Sequence, residues 1–170
     1  MNASKNIIIT ISLMIISLST FAAESINLKS MKMYNAEVKN TSNQAVLLKD
    51  ITASGKTTIF AFFADWCAPC QKEMDSLNAN LDSLNAQGIE VVAVALGSKG
   101  NMDRINLTVK EKGWKMKILF DSENEAQNVY RITTLPYTMV VNKAGKIVYD
   151  SNGFSPEKFA FLKLVVNEVK

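Results

Sequence analysis

The sequence contains no histidine, and only two of its 170 residues are cysteine. Without histidine there can be no Cys–His nucleophile, no His-ligated zinc or copper, and no c-type haem attachment motif. Two thiolates on their own make a poor structural zinc site. We therefore expect neither a metal nor any other cofactor, and we expect the cysteines to be a redox pair rather than a metal site.

A strong excess of charge is also lacking. The formal net charge is +3, and no stretch of the sequence gathers basic residues or interleaves them with aromatic ones. This balance argues against a nucleic-acid partner, which would favour a basic patch. The chain has no linker, repeat or low-complexity tract either, and its length suits one domain.

What the sequence does contain is a Cys-x-x-Cys motif, Trp66-Cys67-Ala68-Pro69-Cys70. It follows an apolar run over residues 58–64 that predicts a buried strand, and it opens a segment with helical periodicity. The N–H groups and the dipole at a helix N-terminus stabilise a thiolate at the first cysteine. The second cysteine lies one turn further on, so the pair can cycle between dithiol and disulfide.

The helix predicted over residues 67–86 assigns different roles to the two cysteines. One stripe of this helix is apolar: Cys70, Met74, Leu77, Leu81 and Leu84. The stripe is expected to face the sheet, which makes Cys70 the buried, resolving thiol and Cys67 the exposed, attacking thiol. Trp66 and Pro69 are expected to form an apolar rim at which a partner docks, with simple packing as the alternative.

The N-terminus has the features of a secretory signal peptide. Lys5 is the only charge in the first 23 residues, residues 7–18 form a short apolar stretch, and Thr20 and Ala22 supply small residues before a cleavage site. We predict a signal peptide over residues 1–22 and hence a periplasmic protein. The alternative is an uncleaved segment that anchors the chain in the inner membrane. Residues 23–33 are then a lead-in segment, and residues 34–170 form the domain.

Strand and helix patterns alternate along that domain. A hairpin is predicted over residues 34–39 and 45–48, further strands over 56–63, 89–96, 117–120, 137–141 and 146–149, and helices over 67–86, 102–112 and 122–130. Ser155 is expected to cap a last helix that begins at Pro156. This order predicts an α/β fold with a mixed sheet.

The motif and its surroundings resemble one family. Residues 62–73 are similar to the active-site segment of thioredoxin-fold proteins, above all the exported TlpA/ResA-like branch with its signature W-C-x-P-C-x-x-E. Residues 118–121, 130–142 and 145–148, with Gly153, match the later pattern of that branch in order. The resemblance covers residues 34–170. It implies a thioredoxin-like fold, with a mixed central sheet flanked by helices, an N-terminal β-hairpin and an inserted βα element.

The resemblance also implies roles for residues outside the motif. Pro136 would follow a cis peptide bond and pack against the disulfide, and the backbone of Leu135 would offer strand-like hydrogen bonds to a substrate. Glu73 would tune the ionisation of the cysteines and accept protons. The alternative for Glu73 is a solvated position on the helix surface.

Two positions depart from the family pattern. Ala61 stands where thioredoxins carry a buried acid, so Glu73 is the only candidate for that function. Asp75 stands where the branch often has a proline, so the usual kink of the helix is expected to be absent. Asp65, just before the motif, is expected to be a solvated surface charge.

Together these features predict an exported thiol–disulfide oxidoreductase. Cys67 would attack a substrate disulfide, and Cys70 would resolve the mixed disulfide and leave the pair oxidised. The resemblance favours a reductase that a membrane thiol donor recharges, and we expect a monomer. Its substrates would be exported proteins with disulfides, such as apocytochrome c in cytochrome c biogenesis or a metal-site assembly protein.

Three other interpretations stay open. Running in reverse, the same chemistry would form disulfides in exported proteins. A peroxidase is less favoured, because the motif lacks the threonine and arginine surroundings of a peroxiredoxin cysteine. Outside enzymology, the pair could be a structural disulfide in a thioredoxin-like binding or chaperone module.

Overall fold

The structure, a computed structural model, describes residues 30–169. The predicted signal peptide and most of the lead-in segment lie outside these residues. The strands are β1 (Met31–Lys32), β2 (Glu37–Lys39), β3 (Ala45–Leu47), β4 (Thr57–Phe63), β5 (Ile89–Leu96), β6 (Lys117–Asp121), β7 (Tyr137–Val141) and β8 (Lys146–Asn152). The helices are α1 (Leu48–Thr52), α2 (Ala68–Ala79), α3 (Leu81–Ala86), α4 (Met102–Lys112), α5 (Glu125–Val129) and α6 (Pro156–Val169).

The strands of residues 30–169 form one sheet in the order β1-β8-β7-β4-β5-β6-β2-β3. β4 lies inside this sheet, where it pairs parallel with β5 and antiparallel with β7. Every residue of β4 is buried, as expected for a strand that is covered on both faces. The predicted α/β fold with a mixed sheet and flanking helices is confirmed.

Two apolar cores lie on opposite faces of the sheet. Ile59, Ala61 and Phe63 of β4 belong to one core together with residues of α2, α3 and α6, whereas Phe60 and Phe62 belong to the other. This division follows from the alternation of side chains along a strand. The first core contains both cysteines, and we call it the redox core.

The helix predicted over residues 67–86 is divided at Asn80 into α2 and α3. The side-chain amide of Asn80 donates a hydrogen bond to the carbonyl oxygen of Ser76 at 2.8 Å, and its backbone has φ −103° and ψ 3°. A side chain that bonds to the backbone in this way competes with the helical pattern. The interruption lies beyond Asp75, and the predicted stripe stays buried on both sides of it.

Other elements also differ from the prediction at their ends. β2 and β3 form an antiparallel hairpin, but each has only three residues. The helix predicted over residues 122–130 is reduced to α5, because Asp121 accepts hydrogen bonds from the N–H groups of Ala126 and Gln127 and so defines a later start. β8 extends to Asn152, because its pairing with β7 continues as far as Tyr137.

The first described residues take part in the sheet. Met31–Lys32, which belong to the predicted lead-in segment, form the edge strand β1 and pair antiparallel with β8. Met33 is buried in the second core. Over residues 30–169, no helix is both long enough and apolar enough to cross a membrane.

Candidate active site

The Cys-x-x-Cys motif lies where β4 ends and α2 begins. Cys67 is the N-cap of α2, and Pro69 lies in the first turn, where a proline removes no intrahelical hydrogen bond. β7 runs antiparallel to β4, so its first residue, Tyr137, lies at this same end of the sheet. The peptide bond Leu135–Pro136, directly before β7, is cis, as the resemblance implied.

Cys67 and Cys70 are joined by a disulfide bond, so the structure shows the oxidised form. Cys70 is fully buried, as its stripe predicted, but Cys67 is only 4% exposed, so the prediction of an exposed Cys67 is wrong for this form. The reason is the N-cap geometry. The Cys67 Sγ atom turns back over the helix and accepts a hydrogen bond from the backbone N–H of Cys70 at 3.3 Å. In general, an N–H group and a helix dipole in this position stabilise a thiolate.

Glu73 is only 5% exposed, and its side chain reaches β7. Its Oε1 atom accepts a hydrogen bond from the hydroxyl of Thr138 at 2.6 Å. Burial raises the pKa of Glu73 to about 7, against the smaller lowering effects of the Thr138 hydroxyl and the Lys158 charge. The alternative of a solvated Glu73 is therefore wrong. On α2, its carboxyl group follows Cys70 by one turn, on the buried face of the helix.

The place of Glu73 explains how the site keeps a buried acid although residue 61 is alanine. Ala61 pairs directly with Thr138 across β4 and β7, and both residues are buried. Directly paired residues project from the same face of a sheet. The Thr138 hydroxyl therefore lies beside the space that a longer side chain at Ala61 would occupy, and Glu73 reaches this region from α2 instead of from β4.

Two further acids near the motif have specific partners. The Asp65 carboxylate forms an ion pair with Arg104 at 2.5 Å, and its side chain is 11% exposed. The prediction of a solvated Asp65 is thus wrong, because α4 brings Arg104 to the motif. Asp75 accepts a hydrogen bond from the indole N–H of Trp114 at 2.7 Å. Within residues 30–169, no group of His, Cys, Asp and Glu side chains is arranged to hold a metal ion.

A cleft of about 220 Å³ opens beside the motif. Trp66 lines it from the motif, and Ile132 and Leu135 line it from the segment before β7. Trp66 is 77% exposed, the highest value among the large hydrophobic side chains of the described residues. Pro69 is exposed as well, but it does not line the cleft. The two residues of the predicted rim are therefore separated: Trp66 lines the cleft and Pro69 lies outside it.

Neither Thr138 nor Arg104 was identified from the sequence as part of the site. A signal for Thr138 exists in the alternation of β7. Thr138 lies two residues before Val140 and so on the same face of the strand, which is the face toward the redox core. A polar side chain buried there needs a hydrogen-bond partner. No comparable signal connects Arg104 with Asp65. The two residues are distant in sequence and meet only because α4 packs near the end of β4.

Thioredoxin-like proteins are the class in which a strand delivers a Cys-x-x-Cys to a helix beside a cis-proline, and this chain has that arrangement on a mixed sheet. Within this class, the chain belongs to the AhpC/TSA family, whose model matches residues 30–150.

Comparison with known proteins supports the resemblance to ResA-like proteins. The chain is 27% identical over 114 residues to thiol-disulfide oxidoreductase ResA of Bacillus subtilis (strain 168), covering 67% of this chain and 62% of ResA. It is 30% identical over 121 residues to sporulation thiol-disulfide oxidoreductase A of the same organism, covering 66% of this chain and 73% of that relative. The chain thus spans less than two thirds of the length of ResA.

A solved structure agrees with the fold. The solution structure of a thioredoxin-like protein from Porphyromonas gingivalis superimposes with a TM-score of 0.72 at 24% sequence identity, and the match covers 83% of this chain and 94% of that one. At this identity the likeness shows the fold alone.

Proposed function

We propose that this protein is an exported thiol–disulfide oxidoreductase that reduces disulfides in other extracytoplasmic proteins. The observation that carries the proposal is a disulfide at the N-cap of α2 with a buried carboxyl group, Glu73, one turn beyond it and with a pKa near neutrality. A purely structural disulfide needs no titrating acid, and burying one is unfavourable. Both relatives described above are thiol-disulfide oxidoreductases, which supports the same class of reaction.

The reaction begins with the reduced pair. The Cys67 thiolate attacks one sulfur of a substrate disulfide, a bond forms between Cys67 Sγ and that sulfur, and the other substrate sulfur leaves and takes up a proton. Cys70 then loses its proton, attacks Cys67 Sγ and releases the second substrate sulfur. The substrate gains two electrons and two protons, and the cysteines end as the disulfide described above.

Glu73 supports the second step as a proton acceptor. Because its pKa is about 7, its carboxyl group can take the Cys70 proton and release it again near neutral pH. In its ionised form, Glu73 also repels a nearby thiolate and so raises the pKa of the thiol. The hydrogen bond from Thr138 holds the carboxyl group in place for this exchange.

The residues around the cysteines bind the polypeptide that carries the substrate disulfide. We assign apolar contacts to Trp66 and Pro69, and strand-like backbone hydrogen bonds to Leu135. Pro136 has a catalytic position beside the cysteine pair in this proposal. The cleft lined by Trp66 and Leu135 supports this assignment, because it opens next to the motif.

The cellular setting of the proposal follows from the predicted signal peptide over residues 1–22. In the periplasm, the pair would be returned to its reduced form by a membrane thiol donor. An uncleaved N-terminal segment in the inner membrane would give the active site the same location. The resemblance favours apocytochrome c or metal-site assembly proteins as substrates. We take a monomer as the working unit, with β1 and Met33 as part of its domain.

A trapping experiment tests the roles of the cysteines. In Cys70→Ser, the attacking thiol is retained and nothing resolves the mixed disulfide, so we expect a covalent complex with insulin that dithiothreitol releases. Cys67→Ser is the matched control and should form no such complex. A complex formed by the control and not by Cys70→Ser would reverse the assignment.

Activity assays separate the proposal from its alternatives. The wild-type protein should accelerate insulin reduction by dithiothreitol. A structural disulfide predicts no acceleration, an oxidant predicts faster disulfide formation in reduced ribonuclease than reduction of insulin, and a peroxidase predicts consumption of hydrogen peroxide. Failure to accelerate insulin reduction would reject the reductase.

A further inference from the structure

Four lysines line a cavity of about 430 Å³. Lys32 comes from β1, Lys49 from α1, Lys143 from the turn between β7 and β8, and Lys146 from the start of β8. The other residues of the lining are uncharged, so the lining contains four lysines and no carboxylate. We call this site the lysine cavity.

The lysine cavity and the redox site lie at opposite ends of β4. The Cys-x-x-Cys motif follows the last residue of β4, whereas Gly55 of the cavity precedes the first. Because β7 is antiparallel to β4, Val141 pairs with Thr58, and the turn after Val141 lies at the start of β4. The seven residues of β4 separate the two ends by roughly 20 Å.

Among the residues that the structure describes, no carboxylate forms an ion pair with any of the four lysines. The ion pairs of residues 30–169 involve other cations: Lys39, Lys99, Arg104, Lys112 and Lys117. In the adjoining turn, the backbone N–H groups of Ala144 and Lys146 donate hydrogen bonds to the side-chain oxygen of Asn142. All four lysines are exposed, and repulsion among like charges gathered around one cavity favours the binding of an anion.

We propose that the lysine cavity binds a phosphate-bearing anion, either the headgroup of an anionic phospholipid or a soluble phosphate compound. Lysine binds phosphate as a point charge, and the volume lies within the range of small-ligand sites. Lysine clusters are also attracted to the surface of anionic membranes. Contact with a membrane at this end leaves Trp66 and the cysteines facing the aqueous phase at the other end.

The test compares two triple variants with equal changes of charge. K49Q/K143Q/K146Q removes three lysines of the cavity, and K110Q/K115Q/K163Q removes three exposed lysines that form no ion pair with the described residues. Circular dichroism and thermal unfolding first establish that both are folded. The probes are vesicles of phosphatidylglycerol mixed with phosphatidylcholine, vesicles of phosphatidylcholine alone, and inorganic pyrophosphate in solution.

We expect the cavity variant to lose affinity by about tenfold or more for the phosphate-bearing probe that binds, because each lysine near an anionic surface contributes separately. The control should lose less than about twofold, because its lysines do not line the cavity and salt screens charges that are more than about 10 Å apart. Binding to phosphatidylglycerol vesicles only would identify a lipid headgroup, and binding of pyrophosphate a soluble ligand.

Two results would overturn the proposal: no binding of either probe at about 0.1 M salt, or equal losses in the two variants. Should the triple variant of the cavity fail to fold, the single variants Lys143→Gln and Lys110→Gln provide the same comparison. Lys143 is exposed in a turn, so its replacement disturbs no packed side chain.

Discussion

Glu73 on α2 and Asp121 at the end of β6 are the two buried acids among residues 30–169, and they are held in different ways. Glu73 has one hydrogen bond, from the hydroxyl of Thr138. Asp121 accepts hydrogen bonds from two backbone N–H groups at the start of α5, those of Ala126 at 3.1 Å and Gln127 at 2.8 Å. Burial raises the pKa of both carboxyl groups.

The difference lies in what each carboxyl group does for its neighbours. Without Asp121, two N–H groups at the start of α5 would lose their acceptor, so this carboxyl group maintains the corner between β6 and α5. Glu73 satisfies a single hydroxyl, which can rotate and bond to either protonation state. A buried acid with several backbone donors is thus structural, whereas one with a single hydroxyl donor is free to titrate.

The largest effect is expected from Asp121→Asn. The amide can accept at only one atom and turns a donor toward a buried N–H group, so we expect a loss of roughly 4 kcal/mol in the free energy of unfolding. Urea denaturation at pH 7 measures it, and the alkylation kinetics of Cys67 should not change. If Asp121→Asn were as stable as the wild type, the contrast between the two acids would be lost.

The next effect is the pH dependence of stability caused by Glu73. Its pKa is about 7 in the folded protein against 4.5 for the ordinary group. Between these pH values, the folded protein keeps a proton that the unfolded chain releases, so stability is lost as the pH rises. The total loss is roughly 3 kcal/mol at most. Denaturation of the oxidised protein at several pH values should show this loss in the wild type and not in Glu73→Gln; parallel profiles would contradict it.

Thiol chemistry should respond to Glu73→Gln by a smaller amount. Removing the carboxylate relieves its repulsion of the thiolate, so the apparent pKa of the coupled cysteine pair should fall. Disulfide exchange at neutral pH should slow, because the proton acceptor is gone. Alkylation rates against pH measure the first effect and insulin reduction the second. Superimposable curves for the two proteins would mean that Glu73 takes no part in the redox chemistry.

Thr138→Val should shift the titration of Glu73 in a known direction. The Thr138 hydroxyl lowers the pKa of Glu73, so its removal should raise that pKa further, with a change of about 1 kcal/mol. Glu73 then stays neutral over a wider pH range and repels the thiolate less, so the alkylation profile should move to lower pH. A purely structural Thr138 would change stability and leave the profile in place. Thr138→Ser, which keeps the hydroxyl, should restore the wild-type profile.

The smallest change in stability is expected from Trp66→Ala, because the side chain is 77% exposed. Stability should stay within about 0.5 kcal/mol of the wild type. If Trp66 docks a polypeptide, KM for insulin should rise while the rate with a small aromatic disulfide stays the same. Equal losses with both substrates would mean that Trp66 acts on the cysteines and not on docking. Neither result depends on the two buried acids, so this variant is a control for both.

The sequence predicted the local features of the molecule well. The apolar run before the motif became β4, and the stripe from Cys70 to Leu84 is buried, because periodicity reports which side of a strand or helix meets a core. The break at Asn80 was missed, because it depends on a single hydrogen bond from the Asn80 side chain to the carbonyl oxygen of Ser76. The burial of Cys67 was missed as well, because it follows from the way the N-cap turns over α2.

By itself, the sequence determined the cysteine pair, the order of the longer strands and helices, and the absence of any histidine chemistry, because these are matters of composition and local pattern. The short elements β1 and α1 were missed. Only the tertiary structure decided which charges are buried, paired or gathered. It placed Glu73 against Thr138, paired Asp65 with Arg104, and brought four lysines from separate segments around one cavity. The electrostatic environment of a side chain depends on neighbours in space, and those neighbours come from segments that are far apart in the chain.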